Sequence, residues 1–286
     1  MEADCSDTLG SIGSLLNGGM ALTASTWSDV GREFADFEDD AICSTEVSSC
    51  DSAVTSISNI KIFENVHNEE PEPEENVLPI TAASSLLTDD TKFFINGIQD
   101  KMLETVDRSL YIGDNNRAFF LYSELESTDT AYYHPYLGGS VTFDVDVSDV
   151  GCGCRAGVYL TTLNEDTCTW DPYLDSEPAC STIEIMEASA WNFSSRTSPC
   201  EYGLCPEEDS CSAATTGTDI GPGITYTIDS SRSFSVKVEF WADEDENGDP
   251  IELLKIVTTL SQDGKDLVLN QDCESLAGLT EDLRDW

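Results

Sequence analysis

An all-β fold, a large sandwich or jelly roll of antiparallel strands, is what the sequence predicts, and three observations predict it. From residue 91 onward, short runs rich in β-branched and aromatic residues recur, each bounded by turn-forming residues. Several of these runs alternate polar and apolar residues with a period of two, as half-buried strands do. Helical periodicity is scarce, fitting only short turns within 98–106 and 273–286.

Taken in order, residues 1–62 are rich in Ser, Thr, Asp and Gly and carry Cys5, Cys43 and Cys50 without a sustained period, so an irregular, cystine-tied N-terminal arm is expected. Residues 63–90 include the run from Glu64 to Asn76, whose like charges and prolines (Pro71, Pro73) favour an extended acidic linker or surface loop. The sandwich is expected over 91–286, with strands at 92–95, 109–112, 118–122, 139–147, 156–163, 181–186, 224–229, 234–241, 253–260 and 266–269. In Val141-Thr142-Phe143-Asp144-Val145-Asp146-Val147 the apolar side chains fall on one face and the polar ones on the other. Phe234-Ser235-Val236-Lys237-Val238-Glu239-Phe240 alternates in the same way. With the acidic turn after it and the apolar run 253–260, it reads as an antiparallel hairpin.

Asp and Glu number 56 against 13 Lys and Arg, a formal net charge of −43. Such a chain repels phosphate backbones and anionic membranes, which argues against nucleic acid as a partner and suits a neutral polysaccharide, a counter-cation or a basic protein. No run of about 20 apolar residues occurs, so no membrane span is expected. The stretch 9–25 lacks the basic start of a signal peptide, and an export signal is expected to lie outside this sequence. Eleven cysteines, with only His67 and His134 and no paired CxxC units, point to disulfides rather than zinc, and so to a secreted, extracellular protein. Their odd number leaves at least one thiol free, bonded to another chain or paired with a segment outside this sequence, so self-assembly or a disulfide-linked partner stays open.

Two stretches carry more than composition. Gly139-Ser140-Val141-Thr142-Phe143-Asp144-Val145-Asp146-Val147-Ser148-Asp149-Val150-Gly151-Cys152-Gly153, continuing to Val158-Tyr159-Leu160, resembles a strand pair of the cellulases of glycoside hydrolase family 7, approximately FTFDVDVSNLPCG…LYF. Cys180-Ser181-Thr182-Ile183-Glu184-Ile185-Met186-Glu187-Ala188-Ser189 resembles that family's catalytic strand, EMDxWEAN after a cysteine. A weaker echo runs through Cys200, Cys205 and Cys211, Gly221-Pro222-Gly223, the strand 234–240, Val268 and Gln271-Asp272-Cys273. The resemblance covers about 91–275 in family order. It implies a concanavalin A-like jelly roll of two curved antiparallel sheets, with a cleft for β-1,4-glucan on the concave face and no cofactor requirement. The family's core is longer, which implies a further strand beyond Trp286, or one supplied by the N-terminal 90 residues or by a neighbouring subunit.

The resemblance puts Glu187 on the family's general acid/base, Glu184 on its assisting Asp and Thr182 on its nucleophile. Retaining glycosidases need two carboxyl groups about 5 Å apart. A hydroxyl without an adjacent base cannot replace a carboxylate that attacks an anomeric carbon, so double displacement is expected to fail here. Glu184 could partner Glu187 in an inverting route, but residues three apart on a regular strand point to opposite faces. Only a β-bulge would bring both to the cleft. Met186 and Ser189 stand where the family has Trp and Asn.

Trp191, beside the catalytic-like strand, is the aromatic expected to stack on a sugar ring, while Tyr132, Tyr133, Tyr136, Trp170, Tyr173 and Trp241 read as core or rim. Asn192-Phe193-Ser194 is an N-glycosylation sequon. Asp243, Asp245, Asn247 and Asp249, with Gly248, copy the first half of a calcium loop. Leu254 replaces the bidentate Glu at its twelfth position, and an acidic hairpin loop competes with a structural calcium site. Cys152-Gly153-Cys154 reads as two structural disulfides to separate partners, and His134, before Pro135, as a loop residue.

These readings converge on an extracellular glycan-binding or matrix- or filament-forming protein, derived from a β-1,4-glucan hydrolase and without efficient catalysis. One alternative is an active β-glucan hydrolase with Glu187 as general acid/base and Glu184 as its partner. The other is a purely structural subunit of an extracellular filament or surface coat.

Overall fold

A computed structural model describes residues 20–28, 50–63, 80–82, 93–97, 103–106, 109–113, 116–121, 133–134, 136–161, 182–198 and 210–283. In chain order its strands are β1 (Met20–Ser28), β2 (Val54–Phe63), β3 (Ile80–Ala82), β4 (Phe93–Gly97), β5 (Leu103–Val106), β6 (Ser109–Gly113), β7 (Asn116–Leu121), β8 (Tyr133–His134), β9 (Ser140–Asp146), β10 (Cys154–Thr161), β11 (Thr182–Ala188), β12 (Phe193–Ser198), β13 (Cys211–Ala214), β14 (Ile220–Gly221), β15 (Ile228–Asp229), β16 (Phe234–Glu244), β17 (Pro250–Gln262) and β18 (Lys265–Gln271).

Of these strands β14 and β15 form a separate parallel pair, and the rest make two sheets. The larger is ordered β13-β12-β11-β10-β1-β7-β4-β3, with β8 beside β1; the smaller is ordered β18-β17-β16-β9-β2-β6-β5. Their ladders are antiparallel, except that β3 pairs parallel with β4. The period-two pattern decides which face of each strand is covered. Val141, Phe143 and Val145 of β9 are buried, as are Val236, Val238 and Phe240 of β16, and they join Leu22, Val158, Leu160 and Ile183 of the larger sheet in one core. Removing each such side chain from water contributes about 1.5–3 kcal/mol.

Polar bonds also cross between the sheets. Thr26 Oγ1 of β1 donates to the Ile112 carbonyl of β6 at 3.1 Å, and Gln271 Nε2 of β18 donates to the Cys211 carbonyl of β13 at 2.8 Å. The Phe193 and Phe234 rings meet edge to face at 6.5 Å. Disulfides Cys50–Cys154 and Cys211–Cys273 staple the same two layers. The architecture is the all-β, jelly-roll type of sandwich of two antiparallel sheets that the sequence predicts.

The N-terminal segment contributes more regular structure than its composition suggests. β1 lies between β10 and β7 in the larger sheet, and β2 lies between β9 and β6 in the smaller. β2 carries Ile57 and Ile60 into the core. In β1 the outward Thr23 and Ser25 are as buried as the inward Leu22 and Ala24, so both faces of the strand are covered. The disulfide Cys50–Cys154 ties this segment to β10. Cys5, Cys43 and the acidic run 64–76 lie outside the described residues.

Two local expectations change. Residues 103–106 form the edge strand β5 rather than a helical turn, because they pair with β6. Within 224–229 only Ile228 and Asp229 are extended, since Gly223 takes a positive φ of 110° and turns the chain before them. The turn expected near the C-terminus is present as a 3-10 segment, Glu274–Leu279, followed by the short helix α1 (Thr280–Leu283). Leu276, Leu279 and Leu283 are buried there, and the Leu283 carbonyl accepts from the Tyr136 and Leu137 N–H groups.

Candidate functional site

Strand β11 carries the three residues that the catalytic-strand resemblance singles out, and its ladders fix where they point. On one side Gly157 pairs with Glu187, Val158 with Met186 and Tyr159 with Glu184; on the other, Arg196 pairs with Glu184 and Ser194 with Glu187. Ile185 and Met186 together therefore stand opposite Ser195, which makes a β-bulge. Both bulge side chains enter the core, completely buried. Ser195 Oγ supports the bend by donating to the Glu184 carbonyl at 3.0 Å.

The consequence can be read from β10. Gly157 and Tyr159, two residues apart, share a face, so their partners Glu187 and Glu184 share it too. Thr182, two residues before Glu184 and paired with Thr161, lies on the same face. That face looks away from the core, because Val158 and Leu160 of β10 and Ile183 of β11 occupy the opposite side. The bulge thus supplies the exception to alternation that a Glu184–Glu187 pair requires.

Across the strands the face presents polar rows. Thr23, Tyr159, Glu184 and Arg196 form one row, and Ser25, Gly157, Glu187 and Ser194 the next. The hydroxyls of Thr23 and Thr161 are buried there without a hydrogen-bond partner among the described residues.

Glu187 is 6% exposed and held from two sides. Arg155 Nη1 donates to its Oε2 at 2.7 Å, and the Tyr159 hydroxyl donates to its Oε1 at 3.2 Å. Tyr159 reaches it by folding back over Gly157, where a Cβ would lie 2.0 Å from the phenolic oxygen. Burial, then the charges of Glu187 and Glu184, push the Tyr159 phenol well above its ordinary range. Glu184 is 8% exposed. Burial first, and the neighbouring Glu187 charge second, push its carboxyl up to about 8, against the smaller opposing pull of Arg196 and Arg155. A proton-bearing acid and a carboxylate paired with Arg155 thus sit on one dry face beside Thr182.

Arg155, Tyr159 and Arg196 are absent from the residues that the sequence singles out for the site. Tyr159 stands inside the resembling strand. In a chain with 13 cations against 56 anions, an Arg flanked by Cys154 and Ala156 was the available signal of a specific counter-ion.

Comparison of the sequence with family models and with curated proteins finds no match. Solved structures of similar shape include an endoglucanase I in complex with cellobiose (TM-score 0.38, 19% identity, 46% of this chain and 44% of that one). The native endocellulase EGI of Humicola insolens is another (0.37, 18% identity, 52% and 50%). A family 7 cellobiohydrolase from Daphnia pulex is a third (0.40, 17% identity, 52% and 56%). The chain aligns with about half the length of each.

The remaining sequence expectations fall at the sheet's periphery. Trp191 is half-buried in the turn between β11 and β12, its N–H donating to Ser189 Oγ and its ring meeting Tyr226 edge-on at 6.4 Å. Asn192, also half-buried, closes that turn by accepting from the Ser189 N–H at 2.9 Å. The hydroxyl of Ser194 in its sequon donates to the Glu187 carbonyl at 3.4 Å.

In the hairpin between β16 and β17, Asp245 Oδ1 accepts from the Asn247 and Asp249 N–H groups at 2.7 and 3.0 Å, and Gly248 takes a φ of 87°. These bonds, that from Asp249 foremost, hold the Asp245 carboxyl below its ordinary range, so it serves the turn. Among the described residues no group of three or more His, Cys, Asp or Glu forms a metal cluster, at Asp243 and Asp249 or elsewhere. Cys152 is disulfide-bonded, and since Cys154 is joined to Cys50, the two cysteines of Cys152-Gly153-Cys154 do not pair with each other. Tyr136 is core, Trp241 is exposed under Lys255, and Tyr132, Trp170 and Tyr173 lie outside the described residues.

Proposed function

We propose that the outer face of the larger sheet is a glycan-binding face derived from a β-1,4-glucan hydrolase. On this reading the chain is an extracellular protein that binds β-glucan or another neutral polysaccharide, and serves in a matrix or filament without efficient turnover. One observation carries it: Thr182 shares a face with Glu184 and Glu187, at the position where retaining chemistry needs a second carboxylate.

Hydroxyls dominate the rest of the face, and hydroxyls match the donors and acceptors of a neutral sugar. The charge of −43 disfavours anionic polymers, and the disulfides suit an oxidising compartment. Among the described residues no helix is long and apolar enough to cross a membrane.

The test is hydrolysis of a fluorogenic cellobioside. The wild type is expected to be silent, and Thr182→Glu to restore measurable turnover by returning a carboxylate to the face. Silence in a folded Thr182→Glu protein would remove the derivation from a retaining hydrolase.

The bulge favours a second reading. Glu184 and Glu187 on one face, one holding a proton and the other paired with Arg155, are the two carboxyl groups that an inverting hydrolase requires. Wild-type turnover that is abolished in Glu187→Gln would favour this reading over the first.

A further inference from the structure

We propose that Arg155 and Tyr159 are positioning residues that fix Glu187 as the standing anion of this face and leave Glu184 as the carrier of its exchangeable proton. The geometry at Glu187 carries the assignment. Oε2 accepts from Arg155 Nη1 at 2.7 Å, and a guanidinium can only donate. Oε1 accepts from the Tyr159 hydroxyl at 3.2 Å, and burial keeps that phenol protonated. With both oxygens accepting, one of them from a cation, the ionised form of Glu187 is the favoured one.

Glu184 is in the opposite position. Tyr159 and Arg155 face it from β10, Arg196 from β12 and Glu187 from its own strand. Among the described residues it joins no ion pair, and the two arginines act on it only through their fields. Two neighbouring carboxyl groups in a buried setting do not both ionise readily. Once Arg155 pins the charge on Glu187, the proton belongs to Glu184.

The resemblance implies the reverse, with Glu187 as the acid. On the glycan reading, on which this one consequence rests, Glu184 is the hydrogen-bond donor to a bound sugar oxygen and Glu187 is an acceptor. Any acid assistance would then come from Glu184.

The experiment is a pH titration of the free protein carrying 13C in its Glu side-chain carboxyls, followed by NMR without any glycan. One carboxyl is expected to titrate near pH 8, to vanish in Glu184→Gln, and to move to lower pH in Glu187→Gln, where the repelling charge is gone. Arg155→Gln is expected to bring a second carboxyl upward, and Arg155→Lys to restore the wild-type pattern. A high step that survives Glu184→Gln and disappears in Glu187→Gln would overturn the proposal, as would an Arg155→Gln titration identical to wild type. Tyr159→Phe, which keeps the ring over Gly157 and removes the hydroxyl that donates to Glu187, serves if the Arg155 variants do not fold. It is expected to change the carboxyl titration in the same direction as Arg155→Gln, and a titration identical to wild type would count against the clamp. Loss of the glycan reading would leave every one of these titrations as they are, so the two failures are distinguishable.

Discussion

Among the described residues, Glu187 has a cation at hydrogen-bond distance and Glu184 joins no ion pair, so burial acts unequally on the two glutamates of β11. The difference has a measurable thermodynamic sign. Glu184 titrates at about 8 in the fold against an ordinary 4.5, so between those values the native state holds a proton that the unfolded chain has released. The corresponding stability is fully present below pH 4.5 and is lost as pH rises toward 8, by roughly 1 kcal/mol per pH unit. Glu184→Gln, neutral at every pH, is expected to flatten that decline in denaturant unfolding at matched pH values. An unchanged slope would show that the proton resides elsewhere. Thr182, Glu184 and Glu187 stand out as a set in the sequence because their spacing resembles that of a catalytic strand. Arg155 does not, because a counter-ion contributed by a neighbouring strand leaves no local spacing to read.

At the scale of the element, the bulge and the glycine paired with Glu187 shape the site together. The bulge sends Ile185 and Met186 into the core, and Gly157 clears the space into which Tyr159 folds. Gly157→Ala would place a Cβ 2.0 Å from the Tyr159 oxygen and drive the ring off Glu187. A destabilisation of about 1–3 kcal/mol is expected from such overpacking, measured by chemical denaturation. In a Tyr159→Ala background the penalty should largely disappear; a full penalty there would place its origin elsewhere.

Strict alternation made β9 and β16 readable, with Phe143 and Val238 facing inward between polar neighbours. It could not reveal the bulge, since a bulge is a property of pairing rather than of one strand's sequence. β12, Phe193-Ser194-Ser195-Arg196-Thr197-Ser198, was unreadable for a related reason. Its inward Ser195 and Thr197 are buried through hydrogen bonds to the Glu184 and Cys211 carbonyls instead of through apolar bulk.

For the whole molecule, two sheets are held by one core and by staples that join distant parts of the chain. Cys211–Cys273 closes a 62-residue separation, and restricting the unfolded chain over that length stabilises by about 4 kcal/mol. Replacing both cysteines with Ser is expected to lower unfolding stability by that order, read from the denaturant midpoint, while leaving the β-rich circular dichroism spectrum intact. A midpoint that does not move would show that the core alone sets the join between β13 and β18.

The cysteine count made the disulfide staples legible at this scale. The central placement of β1 and β2 was not legible, because it depends on partners more than a hundred residues away in β10 and up to about 90 away in β9.

The most direct test of the glycan-binding face is saturation-transfer NMR of cellohexaose with the wild-type protein, followed over time. A face that binds without turnover transfers saturation to the sugar protons while the reducing-end anomeric signals stay constant. Absence of transfer, or growth of new reducing-end signals, would contradict it.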